Sequence, residues 1–590
     1  MEGAEKTRAL MQVCLGNGQA DRALTNATIL NVYTGEWIRN QTILIKGEWI
    51  ALVGTETGEG IGPKTSVIDA SGKAVIPGLI EGHTHLADCL YSPAEFLRRA
   101  MIGGTTTIVT ESIEPFPIRG EEGIIDFLDA FRDQPIKVFG TLPSMASTSR
   151  SSRGMPRDTL RRLLMRDDVL GLGESYWQSV LQDPDVFLGN FEETLLMGAK
   201  VEGHSAGAKG RNLAAYVITG ISSCHEPINA EEALERLRLG LHVMVREGSI
   251  RSDLGSVAAL KDAGIDSRRI LLVTDGVRPI DLIEKGYMEY VVQRAIDTGI
   301  DSVKAIQMAT INVADYFGLD GIIGGISPGK QADLLILPDE KTIKAEIVMS
   351  KGRIIARDGE LLASPRVHAF AAETRRSVHL PRAMTPQDFA ILVERPGSQI
   401  RVRVIRQITD LVTREEIMSL PVVQGEIRCD LSKDLLKVAA VERRFTPGNI
   451  FVGLIRGFGL KSGALAASSA WDTSDIIVVG ANEADMAGAV NRIHALQGGL
   501  VLCADGKVVA EIPLPIFGLM TELPLPDLVV RMRELTMHAK ALGFPFADPH
   551  KTLIPLTGAA IPFIRLSDEG LVDIKSGKKV PLIVGPDFAE

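Results

Sequence analysis

The sequence offers neither a disulfide framework nor a membrane-spanning segment. Its five cysteines are odd in number, scattered and without a CxxC pair, at Cys14, Cys89, Cys224, Cys429 and Cys503. Such spacing is typical of free thiols in a reducing compartment. No apolar run reaches the roughly 18 residues of a membrane span, and the N-terminus lacks the apolar region of a signal peptide. We therefore expect a cytoplasmic protein that has no membrane partner.

Basic stretches are also missing from the sequence. The chain of 590 residues has a formal net charge of -10, and no segment is dense in lysine and arginine. This charge distribution argues against a nucleic-acid partner. Hydrophobic residues make up 45% of the chain and charged residues 23%, which is ordinary for a globular protein. A chain of this length usually divides into two or three domains.

Short strand-like segments joined by glycine turns flank a long middle region. Examples are "QTILIKGEWIALVG" before the middle region and "IKAEIVMSKGRIIA" after it. We predict that residues 1–76 and 326–360 form the two parts of one small β-sandwich domain. We expect a linker at residues 361–394. Residues 395–590, with the strand-like "IRVRVIRQI" and the helix-like "EADMAGAVNRIHAL", are predicted to form an α+β domain.

The middle region, residues 77–325, alternates between short apolar runs and polar, helix-like segments, which is typical of a parallel sheet. Eight segments each carry an apolar run that ends in polar or charged residues: "VIPGLIEGHTH", "TTTIVTESIE", "IKVFGTLPS", "VLGLGES", "AKVEGHSAG", "ISSCHEP", "LHVMVREGS" and "RRILLVTDGVRP". Eight strands are the number in a (β/α)8 barrel, whose active sites lie at the C-terminal strand ends. The predicted fold class is therefore α/β, a metal-dependent (β/α)8 barrel with a small split β domain and an additional C-terminal α+β domain.

The predicted C-terminal strand ends carry residues that commonly bind metal ions. His83 and His85 lie two residues apart and point to the same side of an extended backbone. Further candidates at other strand ends are Glu174, His204, His225 and Asp275. Four imidazoles and two carboxylates suit two divalent transition-metal ions that share a bridging ligand, with Mn, Fe or Zn favoured over Ca or Mg. Two ions about 3.5–4 Å apart can activate water and polarise an electrophile.

Five of the six candidate ligands also have a structural explanation. His83 and His85 could lie in a polar loop, and His225 could be a core histidine. Glu174 could start a helix, and Asp275 could cap a turn. The metal-centre hypothesis is favoured because all six candidates would otherwise have to lie at strand ends by chance.

Motifs along nearly the whole chain resemble the adenine deaminase family of the amidohydrolase superfamily. In the middle region they are "PGLIEGHTHL", "SPAEFLRRAMIGGTTTIV", "GLGES", "VEGHSAG", "ISSCHEP", "REGS" and "VTDG". Later in the chain they are "SPGKQADLLIL", "ADMAGAVNRI" and "IPLPIFGLM". The resemblance includes a C-terminal domain that most amidohydrolases lack. It implies a small heterocyclic substrate, and we also expect a homo-oligomer.

The resemblance further implies roles for individual residues. Glu174 would bridge two metal ions, one held by His83, His85 and Asp275 and the other by His204 and His225. The implied reaction is hydrolysis of adenine to hypoxanthine and ammonia, in which a bridging hydroxide attacks C6 of the ring. Asp275 would act as general base and then as general acid. Glu114 would protonate a ring nitrogen.

Several positions differ from the family pattern while the implied metal ligands are kept, and four of them replace polar residues of the family motifs. Ile113 stands for the histidine of Asp-Pro-His-Glu, and Gly276 for the second residue of Asp-Asp. Trp471 and Ser474 stand for the histidines of His-Asp-Ser-His-Asn. We expect these positions to face the substrate, although Trp471 could either stack on a planar ring or only fill a domain interface. The primary prediction is deamination of adenine or a related aminopurine. The alternatives are an amidohydrolase acting on another amino-heterocycle or cyclic amide, and a non-catalytic metal-bound sensor or scaffold.

Overall fold

The first five strands of the chain belong to a small β domain. They are β1 (Arg22–Asn31), β2 (Glu36–Lys46), β3 (Trp49–Gly54), β4 (Ser66–Asp69) and β5 (Ala74–Pro77). In the computed structural model, which describes residues 3–55, 58–393 and 399–585, the N-terminal helix α1 (Gly3–Cys14) packs on this sheet through Leu10 and Val13. Isoleucine, valine and threonine recur along the strands and suit a pleated, half-buried surface.

The middle region folds into eight parallel strands that close into a barrel. They are β6 (Leu79–Thr84), β7 (Thr105–Glu111), β8 (Lys137–Leu142), β9 (Val169–Tyr176), β10 (Lys200–His204), β11 (Ser223–Cys224), β12 (His242–Arg246) and β13 (Ile270–Val273). Strands β6 to β10 form one sheet and β11 to β13 a second. The Ser222 amide donates to the Val201 carbonyl (2.9 Å) at one junction between these sheets, and the Asp275 amide donates to the His83 carbonyl (3.0 Å) at the other. The predicted (β/α)8 barrel is therefore confirmed.

Helices follow the barrel strands and cover the outer surface. They are α2 (Pro93–Gly103), α3 (Pro115–Asp129), α4 (Arg157–Leu164), α5 (Trp177–Gln182), α6 (Pro184–Leu196), α7 (Gly210–Ile218), α8 (Ala230–Arg238), α9 (Leu254–Val257), α10 (Pro279–Glu284), α11 (Met288–Asp297), α12 (Ser302–Met308) and α13 (Ile311–Phe317). Helix α2 has clear sequence signals at both ends: Ser92 caps it, Pro93 opens it, and Gly104 ends it in the left-handed conformation, as capping rules predict. Residues 254–263 form only the short α9, followed by 3-10 turns.

After the barrel the chain returns to the small β domain. This second part supplies β14 (Leu334–Leu337), β15 (Ile347–Ser350), β16 (Arg353–Arg357) and β17 (Glu360–Leu361). Strand β14 pairs with β5 in antiparallel register, with Leu335 opposite Ile76. One nine-stranded sheet therefore contains both parts, which confirms that the small domain is split around the barrel. The residue boundaries of the domains stay predictions, and the boundary between residues 394 and 395 lies outside the described residues.

The C-terminal region forms an additional α+β domain, as predicted. Its strands are β18 (Ile391–Leu392), β19 (Gln399–Gln407), β20 (Thr413–Pro421), β21 (Glu426–Ile427), β22 (Leu435–Val441), β23 (Ile450–Arg456), β24 (Ala464–Ala467), β25 (Ile476–Gly480), β26 (Gly499–Ala504), β27 (Lys507–Pro513), β28 (Ile564–Ser567), β29 (Gly570–Asp573) and β30 (Lys578–Val580). Its helices are α14 (Glu483–Leu496), α15 (Leu525–Ala541) and α16 (Pro549–Leu553). Eight strands form one sheet in the order β20-β19-β23-β22-β25-β24-β26-β27, on which α14 packs through Met486, Val490 and Ile493. The domain contacts the barrel mouth, where the Thr148 hydroxyl donates to the Thr557 carbonyl (2.9 Å).

The cysteines and the helices bear on the expectations drawn from composition. All five cysteines are free thiols, and Cys89, Cys224 and Cys503 are buried. Within the described ranges, the helices lack the combined length and apolar character needed to cross a membrane.

Candidate metal centre and active site

The structure brings all six predicted ligands together at the C-terminal end of the barrel. His83 lies in β6 and His85 directly after it, while Glu174 lies near the end of β9. The other three lie at the ends of β10, β11 and β13, namely His204, His225 and Asp275. The barrel closes β13 against β6, so residues that are almost 200 positions apart become neighbours.

Glu174 lies at the centre of this cluster. Its Oε1 atom is 3.3 Å from His83 Nε2, 3.2 Å from His85 Nε2 and 3.0 Å from His225 Nε2. Its Oε2 atom is 3.5 Å from His204 Nδ1. One carboxylate therefore contacts both of the histidine pairs that the sequence analysis assigned to separate metal ions.

The two oxygens of Asp275 have different partners. Oδ1 lies 3.4 Å from His83 Nε2 and 3.5 Å from His85 Nε2, while Oδ2 accepts a hydrogen bond from Arg246 at 3.1 Å. The residue has φ 58°, a left-handed conformation that aspartate tolerates better than most residues. Burial opposes ionisation, but the adjacent His83 imidazole and the charge of Arg246 hold the pKa of Asp275 below its ordinary value. The carboxylate is thus held as an anion that faces the histidines.

The donor atoms of the cluster fit a divalent metal ion. Ligand atoms of His83, Glu174, His225 and Asp275 all lie within 4.8 Å of one another, and all four residues are buried. His83 Nε2 is buried without a hydrogen-bond partner among the described residues, and a buried polar atom in that state is costly unless it binds something. His204 Nδ1 and His225 Nε2 lie 3.1 Å apart, so a second pair of imidazole nitrogens also converges.

Buried carboxylates beneath the cluster orient His83. Glu81 accepts hydrogen bonds from the backbone amides of His83 (3.0 Å) and Thr274 (3.1 Å), which links β6 to the end of β13. Burial raises the pKa of Glu81 to about 7. The carboxylates of Glu111 and Glu202 lie 3.7 Å and 3.8 Å from His83 Nδ1. Groups that surround the far side of a ligating imidazole in this way fix its orientation.

Glu114 lies beside His85 at the edge of the cluster. Its Oε1 atom is 2.7 Å from His85 Nδ1, which fixes the ring so that Nε2 faces Glu174. Its Oε2 atom is buried without a hydrogen-bond partner among the described residues. Since Glu114 also lines the adjoining cavity, its carboxyl group can both position His85 and serve a ligand.

Arg246 is a residue of the site that the sequence analysis did not identify. Its buried guanidinium contacts Glu226, Asp275 (3.1 Å) and Asp253 (3.0 Å). Glu226, which was also missed, has Oε1 3.4 Å from His225 Nε2. The signal that could have found both residues is their position, because Arg246 ends β12 and Glu226 directly follows a predicted ligand.

A cavity of about 370 Å³ adjoins the cluster, a size that suits a small molecule. The C-terminal domain forms one wall of it, with Leu411, Val412, Trp471, Asp472, Ala560, Ile561, Pro562 and Phe563. Hydrogen bonds join this wall to the barrel. Among them, Trp471 Nε1 donates to Asp88 Oδ2 (3.2 Å), and the Tyr176 hydroxyl donates to Asp472 Oδ1 (2.9 Å). The two domains therefore build the cavity together.

Two of the four positions that replace polar residues of the family motifs line this cavity, namely Ile113 and Trp471. Among the described residues, Gly276 and Ser474 lie outside the cavity wall. The Gly276 amide donates to Thr274 Oγ1 (3.2 Å), and the Ser474 hydroxyl donates to Glu442. The expectation that all four positions face the substrate therefore agrees with the cavity only for Ile113 and Trp471.

Comparisons with known proteins match this architecture. Residues 74–355 match the amidohydrolase family, and residues 410–578 match the adenine deaminase C-terminal domain. The chain is 37% identical over 590 residues to an adenine deaminase of Moorella thermoacetica, covering 99% of each chain. It is 34% identical over 588 residues to an adenine deaminase of Clostridium botulinum, covering 98% of each chain.

A solved structure from a study of molinate hydrolase is also similar, with 19% identity and a TM-score of 0.46, covering 60% of this chain and 98% of that chain. The identity of 37% to a relative covered over nearly its full length is what decides the family. The chain belongs to the adenine deaminase family of the amidohydrolase superfamily.

Proposed function

We propose that this protein is a metal-dependent hydrolase that converts adenine and water to hypoxanthine and ammonia. The names of its relatives, adenine deaminase over nearly the full length, support this reaction. The observation that carries the proposal is the position of Glu174, whose single carboxylate contacts four histidines at the mouth of the barrel. A carboxylate in that position suits the bridging ligand of a two-metal site.

The proposed centre holds two divalent ions, Mn, Fe or Zn. Glu174 would contact both, with His83, His85 and Asp275 on one side and His204 and His225 on the other. Bound ions would supply activation of water and polarisation of the ring at C6. The surrounding carboxylates and Arg246 fix the orientation of these ligands before the substrate arrives.

Asp275 is the residue that we propose moves the proton of the attacking water. Its Oδ2 atom is held by Arg246, so Oδ1 is the oxygen that faces the histidines and accepts the proton. As the water oxygen bonds to C6, Asp275 takes the proton and then delivers it to the amine. The C–N bond breaks, ammonia leaves, and C6 becomes the carbonyl carbon of hypoxanthine, while the second proton of the water replaces the one that Glu114 gives to the ring. Asp275 is thus a general base and then a general acid.

Glu114 is the residue that we propose protonates a ring nitrogen. Its Oε1 atom is engaged with His85, whereas Oε2 has no partner among the described residues. A proton held on Oε2 can pass to the ring nitrogen beside C6 while water adds. Protonation there neutralises the negative charge that develops on the ring, which is the usual task of a general acid.

The test is to load the protein with Mn, Fe or Zn in turn and to follow adenine by absorbance and ammonia by a coupled assay. We expect at least one of the metal-loaded forms to convert adenine.

Ile113 and Trp471 place apolar groups in the cavity wall, which favours another amino-heterocycle or a cyclic amide as the second candidate substrate. Ammonia from such a compound, with adenine inert, would replace the proposal. Inertness on the whole panel would favour a non-catalytic sensor or scaffold.

We also propose a cytoplasmic location and a homo-oligomeric state. The free cysteines support a reducing compartment. Exposed apolar side chains on α6 and α7, among them Leu195, Leu196 and Ile218, support an oligomer because neighbouring exposed apolar groups often mark contact surfaces. Light scattering of the metal-loaded protein measures the oligomeric state, and a monomeric mass would contradict the proposal.

A further inference from the structure

Trp471 and Asp88 form a pair that crosses from the C-terminal domain to the barrel. Trp471 Nε1 donates to Asp88 Oδ2 at 3.2 Å, between residues 383 positions apart, and both residues line the cavity. The main chain of Trp471 is held in place as well, because its carbonyl oxygen accepts a hydrogen bond from Thr557 Oγ1 (2.8 Å). A Cβ atom on Gly558 would lie only 2.9 Å from the indole ring. Trp471 is therefore a rigid part of the wall.

Asp88 is similarly fixed but keeps one oxygen for a ligand. It lies three residues after His85 and is only 7% exposed. The buried Arg278 donates to its backbone carbonyl at 3.5 Å and provides the nearby positive charge. Trp471 occupies Oδ2, and among the described residues no donor reaches Oδ1. A buried carboxylate oxygen on a cavity wall accepts an N–H strongly when a ligand presents one.

The charge of the cavity limits what kind of ligand can enter. Seven carboxyl groups line it, against two arginines. Both arginines are already paired with carboxylates, Arg246 with Asp275 and Arg251 with Asp253, so a phosphate or carboxylate group on a ligand would meet carboxyl groups without a free arginine to bind it. An uncharged ring with N–H donors needs no such cation.

We propose that Trp471 and Asp88 select the substrate, with the indole face stacked on a planar heterocycle and Asp88 Oδ1 accepting a ring N–H. The inference rests on the proposed function in that the substrate is an amino-heterocycle. It adds which two residues recognise the ring. A nucleoside whose sugar occupies the recognised nitrogen, or any nucleotide, is excluded.

The first experiment combines a variant with modified substrates. Adenine and its 3-, 7- and 9-methyl derivatives are compared on the wild-type protein and on Asp88→Asn. We expect Asp88→Asn to lower kcat/KM for adenine by roughly 10- to 100-fold, mainly through KM, because the ring N–H loses its acceptor and is left unsatisfied against the cavity wall. The methyl derivative that blocks the recognised nitrogen should have a similarly lowered kcat/KM on the wild type, relative to adenine. Asp88→Asn should lower the kcat/KM of this derivative little further, since the methyl group and the substitution remove the same hydrogen bond.

Two controls keep this experiment decisive. The metal content of Asp88→Asn should equal that of the wild type, because Asp88 lies outside the ligand cluster. Glu232→Gln is the matched variant: Glu232 is another buried carboxyl group of the cavity wall, but it accepts the Ile228 amide (3.3 Å), so its substrate profile should not change. Equal losses on all four bases in Asp88→Asn, or an unchanged KM for adenine, would overturn the role of Asp88.

The second experiment reads binding without turnover. The chain has four tryptophans, so the difference in emission between the wild type and Trp471→Phe isolates Trp471. Adenine or hypoxanthine should quench this difference signal if the base stacks on the indole. Trp471→Ala should raise KM by roughly 5- to 100-fold, the range for loss of base–aromatic stacking, whereas Trp471→Phe should retain most of the affinity.

The two experiments separate failure of the inference from failure of the proposed function. If adenine quenches the emission of Trp471 but the protein releases no ammonia, adenine deamination would be overturned and the role of Trp471 in binding the base would remain. Ammonia release with quenching unchanged in Trp471→Phe would overturn the role of Trp471 and leave deamination in place.

Discussion

Replacement of Arg246 by methionine should destabilise the barrel far more than replacement of Arg251 by methionine. Both arginines bind Asp253 at 3.0 Å, which makes Arg251 a matched control. The side chain of Arg246 is only 3% exposed and also contacts Glu226 and Asp275. The side chain of Arg251 is 38% exposed.

The expected magnitudes follow from this difference in burial. Removal of one partner from a buried ion pair typically costs about 3–5 kcal/mol, because the remaining charge stays buried without compensation. A solvent-exposed ion pair contributes about 0–1 kcal/mol. Arg246→Met leaves Glu226 and Asp275 without their cation, while Asp253 keeps Arg251. We therefore expect the free energy of unfolding to fall by at least about 3 kcal/mol for Arg246→Met and by less than about 1 kcal/mol for Arg251→Met.

Urea unfolding, with hydrogen exchange of the amides in β12 and β13, measures this loss in the barrel itself. Exchange of those strands is needed because a chain with several domains does not unfold in two states. The loss for Arg246→Met should grow after treatment with a chelator, because bound metal ions partly neutralise Asp275. Equal losses for the two variants, or a loss below about 1 kcal/mol for Arg246→Met, would refute the view that Arg246 holds these carboxylates together.

Three further predictions concern the proton shuttle, the metal ligands and the pH dependence of stability. Asp275→Asn should lower kcat by roughly 10²–10⁴-fold, as expected for a lost acid/base, and near-normal ammonia release would remove Asp275 from the mechanism. His83→Ala and His204→Ala should each reduce the metal content per chain measured by elemental analysis, and unchanged content in both would contradict the ligand assignment. Burial raises the pKa of Asp472 to about 7, so the folded chain keeps a proton that the unfolded chain releases near pH 4. Stability should therefore decline between about pH 4 and pH 7. The urea midpoint of Asp472→Asn should fall less steeply over this pH range than the urea midpoint of the wild type. Identical pH profiles for the two proteins would contradict the prediction.

The arrangement of the candidate metal ligands could be anticipated from sequence because a parallel barrel imposes it. Once His83 and His85 follow an apolar strand, the closed barrel brings other strand ends to the same place. Glu174 and Asp275 are predictable on this basis, although each is ambiguous in isolation. The bounds of α9 were less predictable, since apolar spacing alone does not distinguish an α-helix from 3-10 turns.

Contacts between distant segments could not be anticipated from local patterns. Asp88 follows a predicted ligand and carries no motif of its own, and only the docking of the C-terminal domain gives it Trp471 as a partner. The partners of Arg246 come from three different loops after β11, β12 and β13. Such networks depend on tertiary packing, which neither periodicity nor composition encodes.

The separation of metal ligands from the substrate wall explains how the chain can depart from its family without loss of the ligand set. Every candidate ligand comes from the barrel, where Glu174 joins the histidines and Glu81 ties β6 to the end of β13. The opposite wall comes from the C-terminal domain, through Trp471 and its neighbours. A substitution at Trp471 alters the surface that meets the ring and leaves the coordinating atoms in place. The C-terminal domain is therefore an active part of the site, because it determines which heterocycle reaches a centre that the barrel alone assembles.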